Sequence, residues 1–319
     1  MKAIVYHNYG SPDVLALEEI DKSAPKDDEV LIKVHAASVN AMDYRFLTGT
    51  PYIARIMAGL LKPKNKVLGL DVAGRVEAVG ANFKQCQPGD DVFALSFNLG
   101  TFAEYVCVPE SQIVMALKPA SMSFEEAASV PFSALSAQTC LRDSGQIQPG
   151  QKVLINGASG AVGTFAVQIA KSFGADVTGV CSTRNLDMVR SIGADQVIDY
   201  TQEDFTQSEG RYDLIFDVVR KLSFSDCKSV LTSQGTYVTT AFSPSLLFQQ
   251  LFISMTGSQK MVPMVPKKLV TRDLQDLKEL LEAGKVTPVI DKRFPLNEVP
   301  EALRYYGEGH TQGKIIITI

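Results

Sequence analysis

The period of the apolar residues changes along this chain, and each change predicts a change of architecture. Over the first 120 residues the apolar runs are short: "KAIVYH", "EVLIKVHAASV", "DVAGRVEAVG", "DVFAL" and "AEYVCVP", broken by Gly, Pro and Asp. That spacing predicts short strands in a β-rich partial barrel. From Lys152 onward strand-like and helix-like pieces alternate. "KVLING", "DVTGVCS", "QVIDY", "YDLIFDVV" and "GTYVTTA" read as strands, and "AVGTFAVQIAKSFG", "RNLDMVRSIG" and "FSDCKSVLTS" carry helical spacing. Near-continuous β-branched runs separated by helices predict a parallel sheet covered on both faces, in a doubly wound α/β domain. Its leading helix is expected in "SFEEAASVPFSALSAQTCL", opened by a capping box of Ser123 and Glu126.

The tail, "GKVTPVIDKRFPLNEVPEALRYYGEGHTQGKIIITI", alternates short strands with one helix and ends on a strong β run. It is expected to rejoin the first, β-rich domain. The boundaries then fall at 1–122 for the first part of that domain, 123–284 for the inserted nucleotide-type domain and 285–319 for the return. An active cleft is expected between the two lobes.

Composition narrows the class of protein. At 319 residues, 45% apolar and 21% charged, the chain has the composition of an ordinary soluble globular protein. A net charge of -4 without a Lys/Arg run argues against a nucleic-acid partner. The N-terminus, "MKAIVYHNYG", reads as a first strand and lacks the apolar core of a secretion signal. Five cysteines (Cys86, Cys107, Cys140, Cys181, Cys227) lie far apart with no C-x-x-C pair, which points to a reducing, cytoplasmic setting and against a structural zinc.

One stretch carries candidate chemistry. "NGASGAVG", Asn156 to Gly163, lies between a predicted strand and a predicted helix, with glycines three apart. A glycine without Cβ lets the backbone approach a pyrophosphate, and the helix N-terminus offers free N–H groups and a positive dipole end. Gly157 would make the turn, Ser159 and Gly160 would continue it, Ala161 and Val162 would present N–H groups, and Gly163 would allow close helix–strand packing. The pattern is G-x-x-G-x-x-G rather than G-x-G-x-x-G, so the position on the first strand of a βαβαβ unit carries the assignment. An NAD site has a carboxylate at the end of the second strand; here that end reads Cys181-Ser182-Thr183-Arg184, with no carboxylate before Asp187. Ser182, Thr183 and Arg184, with Tyr200 at the end of the next strand, suit a ribose 2′-phosphate, so NADPH is the expected cofactor. Arg184 reads otherwise as a solvated residue in the first turn of a helix.

These motifs, with "SIGADQVIDY", "VLGLDVAGRVEAVG" and "PGDDVFAL", resemble the zinc-free quinone oxidoreductase branch of the medium-chain dehydrogenase/reductases over essentially the whole chain. Within it the chain is most similar to the organelle quinone oxidoreductase homologues and to bacterial NAD(P)-dependent alcohol dehydrogenase-like proteins. The resemblance implies a GroES-like β-barrel catalytic domain built from both chain ends, an inserted Rossmann domain, NADPH, and a homodimer. In the zinc-dependent branch a Cys opens one turn and a G-H-E follows. Here those turns read Asn40-Ala41-Met42-Asp43 and Gly69-Leu70-Asp71, and His7, His35 and His310 lie outside both. No metal site is therefore expected.

Without a metal, the acceptor is expected to be electrophilic already: a quinone or an α,β-unsaturated ketone or aldehyde. The resemblance places residues 38–52 on the substrate side of the nicotinamide. Asn40 is read as a donor to a developing oxyanion, Tyr52 (or Tyr44) as a proton or hydrogen-bond donor, and Asp43 as a residue that orients its neighbours. Asn40 and Asp43 read equally as caps of the helix "AMDYRFLTG". The resemblance also implies that Ser133 and Ser136 approach the nicotinamide, that Asp217, Val218, Ala241 and Phe242 flank its ribose, and that Lys314 lies near the cofactor. Lys314 reads otherwise as a strand-edge lysine.

Two segments depart from the simplest quinone oxidoreductases. "IARIMAGLLKPKN" (53–65) is apolar and basic, and reads as a lid, a peripheral membrane contact or local packing. "SPSLLFQQLFISMTGSQKMV" (243–262) is expected at a homodimer interface. The competing functions are a redox-inactive NADPH-binding sensor or partner-binding protein, and an alcohol/carbonyl dehydrogenase.

Overall fold

The structure is a computed structural model that describes residues 1–241, 246, 248–251, 253, 258–264 and 269–319. Its Cα packing divides the chain into two compact units. The first is Met1–Phe132, Leu269–Glu282 and Ile290–Ile319, and the second is Ser133–Lys268 and Ala283–Val289.

The first unit opens with the hairpin partners β1 (Lys2–Val5) and β2 (Ala16–Glu19) and then the long β3 (Glu29–Ser38). Two short helices follow, α1 (Ala41–Thr48) and α2 (Ile53–Ala58), and then four strands: β4 (Asp71–Val79), β5 (Asp91–Ser96), β6 (Tyr105–Pro109) and β7 (Ile113–Leu117). Antiparallel pairing runs β3–β4–β5–β7, with β6 on β3. Val30, Ile32, Val34, Val72, Val92 and Val106 pack on one another inside these strands. β-Branched side chains on alternate positions are what a sheet with one buried face selects.

Where one leading helix was expected, the chain forms α3 (Phe124–Ala128) and α4 (Pro131–Gln138), followed by a π-helical turn over Thr139–Ser144. Pro131 causes the break: it is tolerated in a first turn, but inside a longer helix it would remove a hydrogen bond. The capping box of α3 is formed, with Glu126 N–H on Ser123 Oγ at 3.1 Å and Ser123 N–H on Glu126 Oε2 at 2.8 Å. α3 packs on β3 and β4 in the first unit.

The second unit is a parallel sheet. Its elements are β8 (Lys152–Asn156), α5 (Ala161–Ser172), β9 (Asp176–Cys181), α6 (Leu186–Ser191), β10 (Gln196–Asp199), β11 (Tyr212–Asp217), α7 (Phe224–Cys227), β12 (Leu231–Thr239) and β13 (Lys260–Pro263). The order is β10–β9–β8–β11–β12–β13, every pair parallel. Strand order therefore reverses between β8 and β11, where open α/β sheets place their ligands. The helix expected in "FSDCKSVLTS" stops at Cys227; Leu231 already belongs to β12 and sits in the core with Tyr212 and Tyr237.

The chain then returns to the first unit as α8 (Thr271–Glu282), which packs on β7, and as β14 (Ile290–Pro295), α9 (Val299–Gly307) and β15 (Lys314–Thr318). β15 pairs antiparallel with β3, so the last residues complete the sheet begun by the first. This is a GroES-like domain with a Rossmann-type domain inserted. Of the segment expected at a dimer interface, residues 243–245, 247, 252 and 254–257 lie outside the described residues, as does Phe242. β13 is an edge strand of the parallel sheet.

Candidate active site

In the second unit the glycine turn joins β8 to α5. Gly157 has φ +87°, a left-handed conformation that glycine adopts without strain. A Cβ on Gly163 would overlap the Gly157 carbonyl, so this glycine lets helix and strand approach. Thr164 N–H makes the first helical bond, to Gly160 O at 2.9 Å. Ala161, Val162 and Gly163 precede it, so their N–H groups have no partner in a preceding turn, as at helix starts that attract anions.

The end of β9 lies beside this turn. Asn185, buried, donates to Ser159 Oγ at 2.9 Å and to Ser182 Oγ at 3.3 Å, and so ties the glycine turn to the second strand's end. Thr183 and Arg184 are exposed, and Tyr200 is 62% exposed. The Thr183 hydroxyl donates to Asp199, which also accepts from Thr201 Oγ1 at 2.7 Å. Those hydrogen bonds, first of all the one from Thr183, hold the Asp199 carboxyl below its ordinary pKa. A carboxylate therefore stands one strand beyond the position scanned in the sequence, and its oxygens face Thr183 and Thr201.

Other expected cofactor residues form a buried polar chain. Asn156 Nδ2 donates to Asp217 Oδ1 at 2.9 Å, and Tyr237 Oη donates to Asp217 Oδ2 at 2.9 Å. Asp217 is fully buried and also accepts from Arg220 N–H at 3.1 Å, while Val218 N–H is bonded to Asn156 O. The Asp217 carboxylate thus locks the ends of β8 and β12 to its own loop. Ala241 N–H donates to Thr239 Oγ1 at 3.2 Å. Ser133 and Ser136 on α4 are buried, and Ser133 Oγ has no hydrogen-bond partner among the described residues.

The first unit contains the second cluster, around Lys314 at the start of β15. Lys314 is 0% exposed, and its Nζ donates to Asn40 Oδ1 at 2.7 Å, to Asp71 Oδ2 at 3.1 Å and to Val39 O at 3.4 Å. Asp71 opens β4 and accepts also from Ser38 Oγ at 2.6 Å, Asn40 Nδ2 at 3.0 Å and Phe132 N–H at 2.8 Å. Asn40 precedes α1 in an extended conformation, and its backbone N–H donates to Asp43 Oδ2 at 2.8 Å. Asp43 Oδ1 accepts from Gly69 N–H at 3.0 Å, at a residue with φ +98° whose Cβ would overlap Thr101 Oγ1. Burial pushes the Asp43 carboxyl up to about 7, against the hydrogen bonds that lower it. Burial likewise lowers the Lys314 ammonium, and Asp71 opposes that shift.

This geometry corrects two sequence expectations and bears out a third. Asn40 directs one amide N–H to Asp71 and the other to Ser38 O at 3.3 Å, so neither is left for an oxyanion; it is a positioning residue. Asp43 caps α1 through its carboxylate, as the sequence suggested, in a capping box with Asn40, whose side chain also bonds Lys314 and Asp71. Lys314 is no strand-edge lysine, since all three of its N–H bonds point into the protein. Tyr52 is 61% exposed at the start of α2, with the Arg55 guanidinium 5.9 Å from its ring, outside this network. Tyr44 packs on Tyr306 of α9, ring centroids 5.8 Å apart. Ser38, Asp71, Asn185 and the buried Tyr6 hydroxyl, which has no hydrogen-bond partner among the described residues, went unassigned in the sequence.

The cysteines are free, and burial pushes each thiol up to about 11 or 12, which leaves them as weak nucleophiles.

Residues 26–119 match the family model described as an alcohol dehydrogenase GroES-like domain, and residues 192–317 match one described as a zinc-binding dehydrogenase. The chain's own residues do not fit a catalytic zinc. The two turns that would supply ligands present Asn40, with its amide fully engaged, and Leu70, with its hydrocarbon side chain. Among the described residues no group of three His, Cys, Asp or Glu is arranged to hold a metal. A mouse protein, "NAD(P)H oxidoreductase RTN4IP1, mitochondrial", is 35% identical over 100% of this chain and 89% of its own. An Arabidopsis thaliana protein, "NADPH-dependent alkenal/one oxidoreductase, chloroplastic", is 33% identical over 99% and 79%. The solved quinone oxidoreductase of Coxiella burnetii superposes with a TM-score of 0.87 at 28% identity, covering 100% of this chain and 99% of that one.

Proposed function

The chain belongs to the medium-chain dehydrogenase/reductase superfamily, in its quinone oxidoreductase branch, and from that premise we propose a zinc-independent reductase that uses NADPH to reduce a quinone or an α,β-unsaturated ketone or aldehyde. It is an oxidoreductase with a nicotinamide cofactor, as its relatives are. The observation that carries the acceptor class is the Asn40–Asp43 turn: its polar groups bond one another, and Leu70 stands where an imidazole ligand would be. These side chains supply no Lewis acid to stabilise an alkoxide, which favours an acceptor activated by its own conjugation.

The second unit fits a dinucleotide. The N–H groups at Ala161 and Val162 would hold the pyrophosphate, with Gly157, Ser159, Gly160 and Gly163 shaping the approach. Ser182, Arg184 and Tyr200 would take the 2′-phosphate, the Thr183 hydroxyl being committed to Asp199, and Ser133 Oγ, buried and without a partner among the described residues, would meet the nicotinamide end along with Ser136. Bound there, NADPH supplies the hydride. Asn156, Asp217 and Val218 act on the site by fixing loop backbone, and Ala241 closes the end of β12. In the first unit Asn40, Asp43 and Lys314 hold the start of α1 in place, and Tyr52 keeps its hydroxyl available for the substrate oxygen. A cytoplasmic homodimer joined through residues 243–262 belongs to the same reading.

The test is NADPH oxidation followed by absorbance against a panel of quinones, alkenals, enones and simple alcohol/carbonyl pairs, with and without a metal chelator. Turnover of a conjugated acceptor at equal rates with and without chelator supports the reading. Turnover confined to unconjugated carbonyls, or abolished by chelator, refutes it.

A further inference from the structure

Residues 44–70 contain five Lys or Arg and no Asp or Glu, in a chain of net charge -4. The acids that flank this stretch, Asp43 and Asp71, are buried. Within it α2 and the turn after it are packed inside out. Small residues face the protein: Ala54, Gly59 and Pro63 are buried. The large apolar residues face outward at helical spacing, Ile53, Ile56, Met57, Leu60 and Leu61 being 58, 64, 67, 54 and 87% exposed. A surface helix ordinarily places its large apolar side chains inward.

This face is held in shape. Tyr9 Oη donates to the Gly59 carbonyl, and Arg55 Nε donates to Gly49 O at 3.2 Å with its guanidinium 4.7 Å from the Tyr9 ring. Lys64 N–H donates to Ala58 O at 2.7 Å. Exposed Lys62, Lys64 and Lys66 border the apolar side chains.

We propose that this face docks on an anionic lipid surface, with Ile53, Ile56, Met57, Leu60 and Leu61 entering the boundary between headgroups and acyl chains. Lys62, Lys64 and Lys66 would lie among the lipid phosphates. The charge pattern selects lipid over protein. Protein interfaces are depleted in lysine and built on fixed aromatic and arginine anchors, whereas a fluid anionic surface accepts protruding aliphatics ringed by flexible lysines. The net negative charge of the rest of the chain orients the molecule with this face toward the bilayer. The docking is independent of the redox reading, because it needs neither cofactor nor acceptor.

Vesicle sedimentation tests it. The full chain is mixed with vesicles of phosphatidylcholine alone, or of phosphatidylcholine with one-third phosphatidylglycerol. The chain is expected to sediment with the anionic vesicles, to be released by added salt, and to stay in solution with the neutral ones. Met57→Ser/Leu61→Ser and Lys62→Glu/Lys64→Glu should each weaken partition by about tenfold or more, with melting temperatures close to the parent's as the control for folding. Failure to sediment with anionic vesicles, or equal sedimentation with both kinds, overturns the proposal. So does a parent dimer that Met57→Ser/Leu61→Ser converts to monomer, which would make the face a contact between copies.

Discussion

Lys314 illustrates how much a single residue's surroundings decide. Read alone, "QGKII" offers a lysine at the edge of a strand; folded, its ammonium is sealed against Asp71, Asn40 and the Val39 carbonyl. Breaking a buried ion pair strands the remaining charge, so Lys314→Met should cost about 3–5 kcal/mol of unfolding free energy in urea titrations. Lys314→Met/Asp71→Asn should cost less than the two single changes summed, because the stranded carboxylate is gone. Additive losses would show that the pair is not coupled. Asp43 carries a pH signature. Its carboxyl ordinarily titrates near 3.8, but in the fold it does so at about 7, burial being the main cause. Between those values the native state keeps a proton that the unfolded chain has released. The stabilising contribution is therefore full below about pH 4 and is lost as pH rises through about 7. Stability profiles of the parent and Asp43→Asn should differ by a loss confined to that window; parallel profiles would remove Asp43 as its source. None of this was legible beforehand. Asp71 was quoted in the sequence only for the histidine missing beside it, and its ammonium partner lies 243 residues away.

At the scale of elements, the parallel sheet was legible almost strand by strand. A buried strand must be a run of β-branched residues, and "KVLI", "DVTGVC", "QVID" and "YDLIFD" have little other use. Elements set by a local conflict were not legible. Pro131 splits a helical pattern into α3 and α4, and packing of Leu231 draws "LTS" out of helix into β12. The glycine turn was read correctly as a turn, yet its three glycines differ. Gly157 serves the left-handed φ and Gly163 the close packing, whereas a Cβ on Gly160 would come no nearer than 3.6 Å to the Gly157 carbonyl. Gly163→Ala should therefore destabilise the fold by about 1–3 kcal/mol through overpacking. Gly160→Ala should leave stability within about 0.5 kcal/mol and weaken NADPH binding where backbone meets pyrophosphate. Calorimetric melting and NADPH titration of both variants separate the two effects; equal loss of stability in both would contradict the assignment.

At the scale of the whole molecule, the order of patterns suggested a chain that begins and ends in one domain; β15 pairs with β3, but the first unit also takes in residues 123–132 and 269–282, which the sequence boundaries had placed in the inserted domain. A β-rich start, an alternating middle and a β-rich tail leave few other arrangements. The site was legible where chemistry follows the chain, as at the glycine turn and the end of β9. It was illegible where chemistry crosses the chain: the Lys314–Asp71–Asn40 network joins three segments, and Asn185 ties two loops. Each cluster fixes backbone within its own unit, through the Lys314–Asp71–Asn40 bonds in the first and the Asn185 bonds in the second. The most direct measurement uses NADPH deuterated at its transferable position, mixed with the protein and a conjugated enone, with the product read by mass spectrometry. The account predicts one deuterium on the β-carbon of each product molecule, unchanged by chelator. Tight NADPH binding with no labelled product from any enone and no NADPH oxidation by any quinone would contradict it.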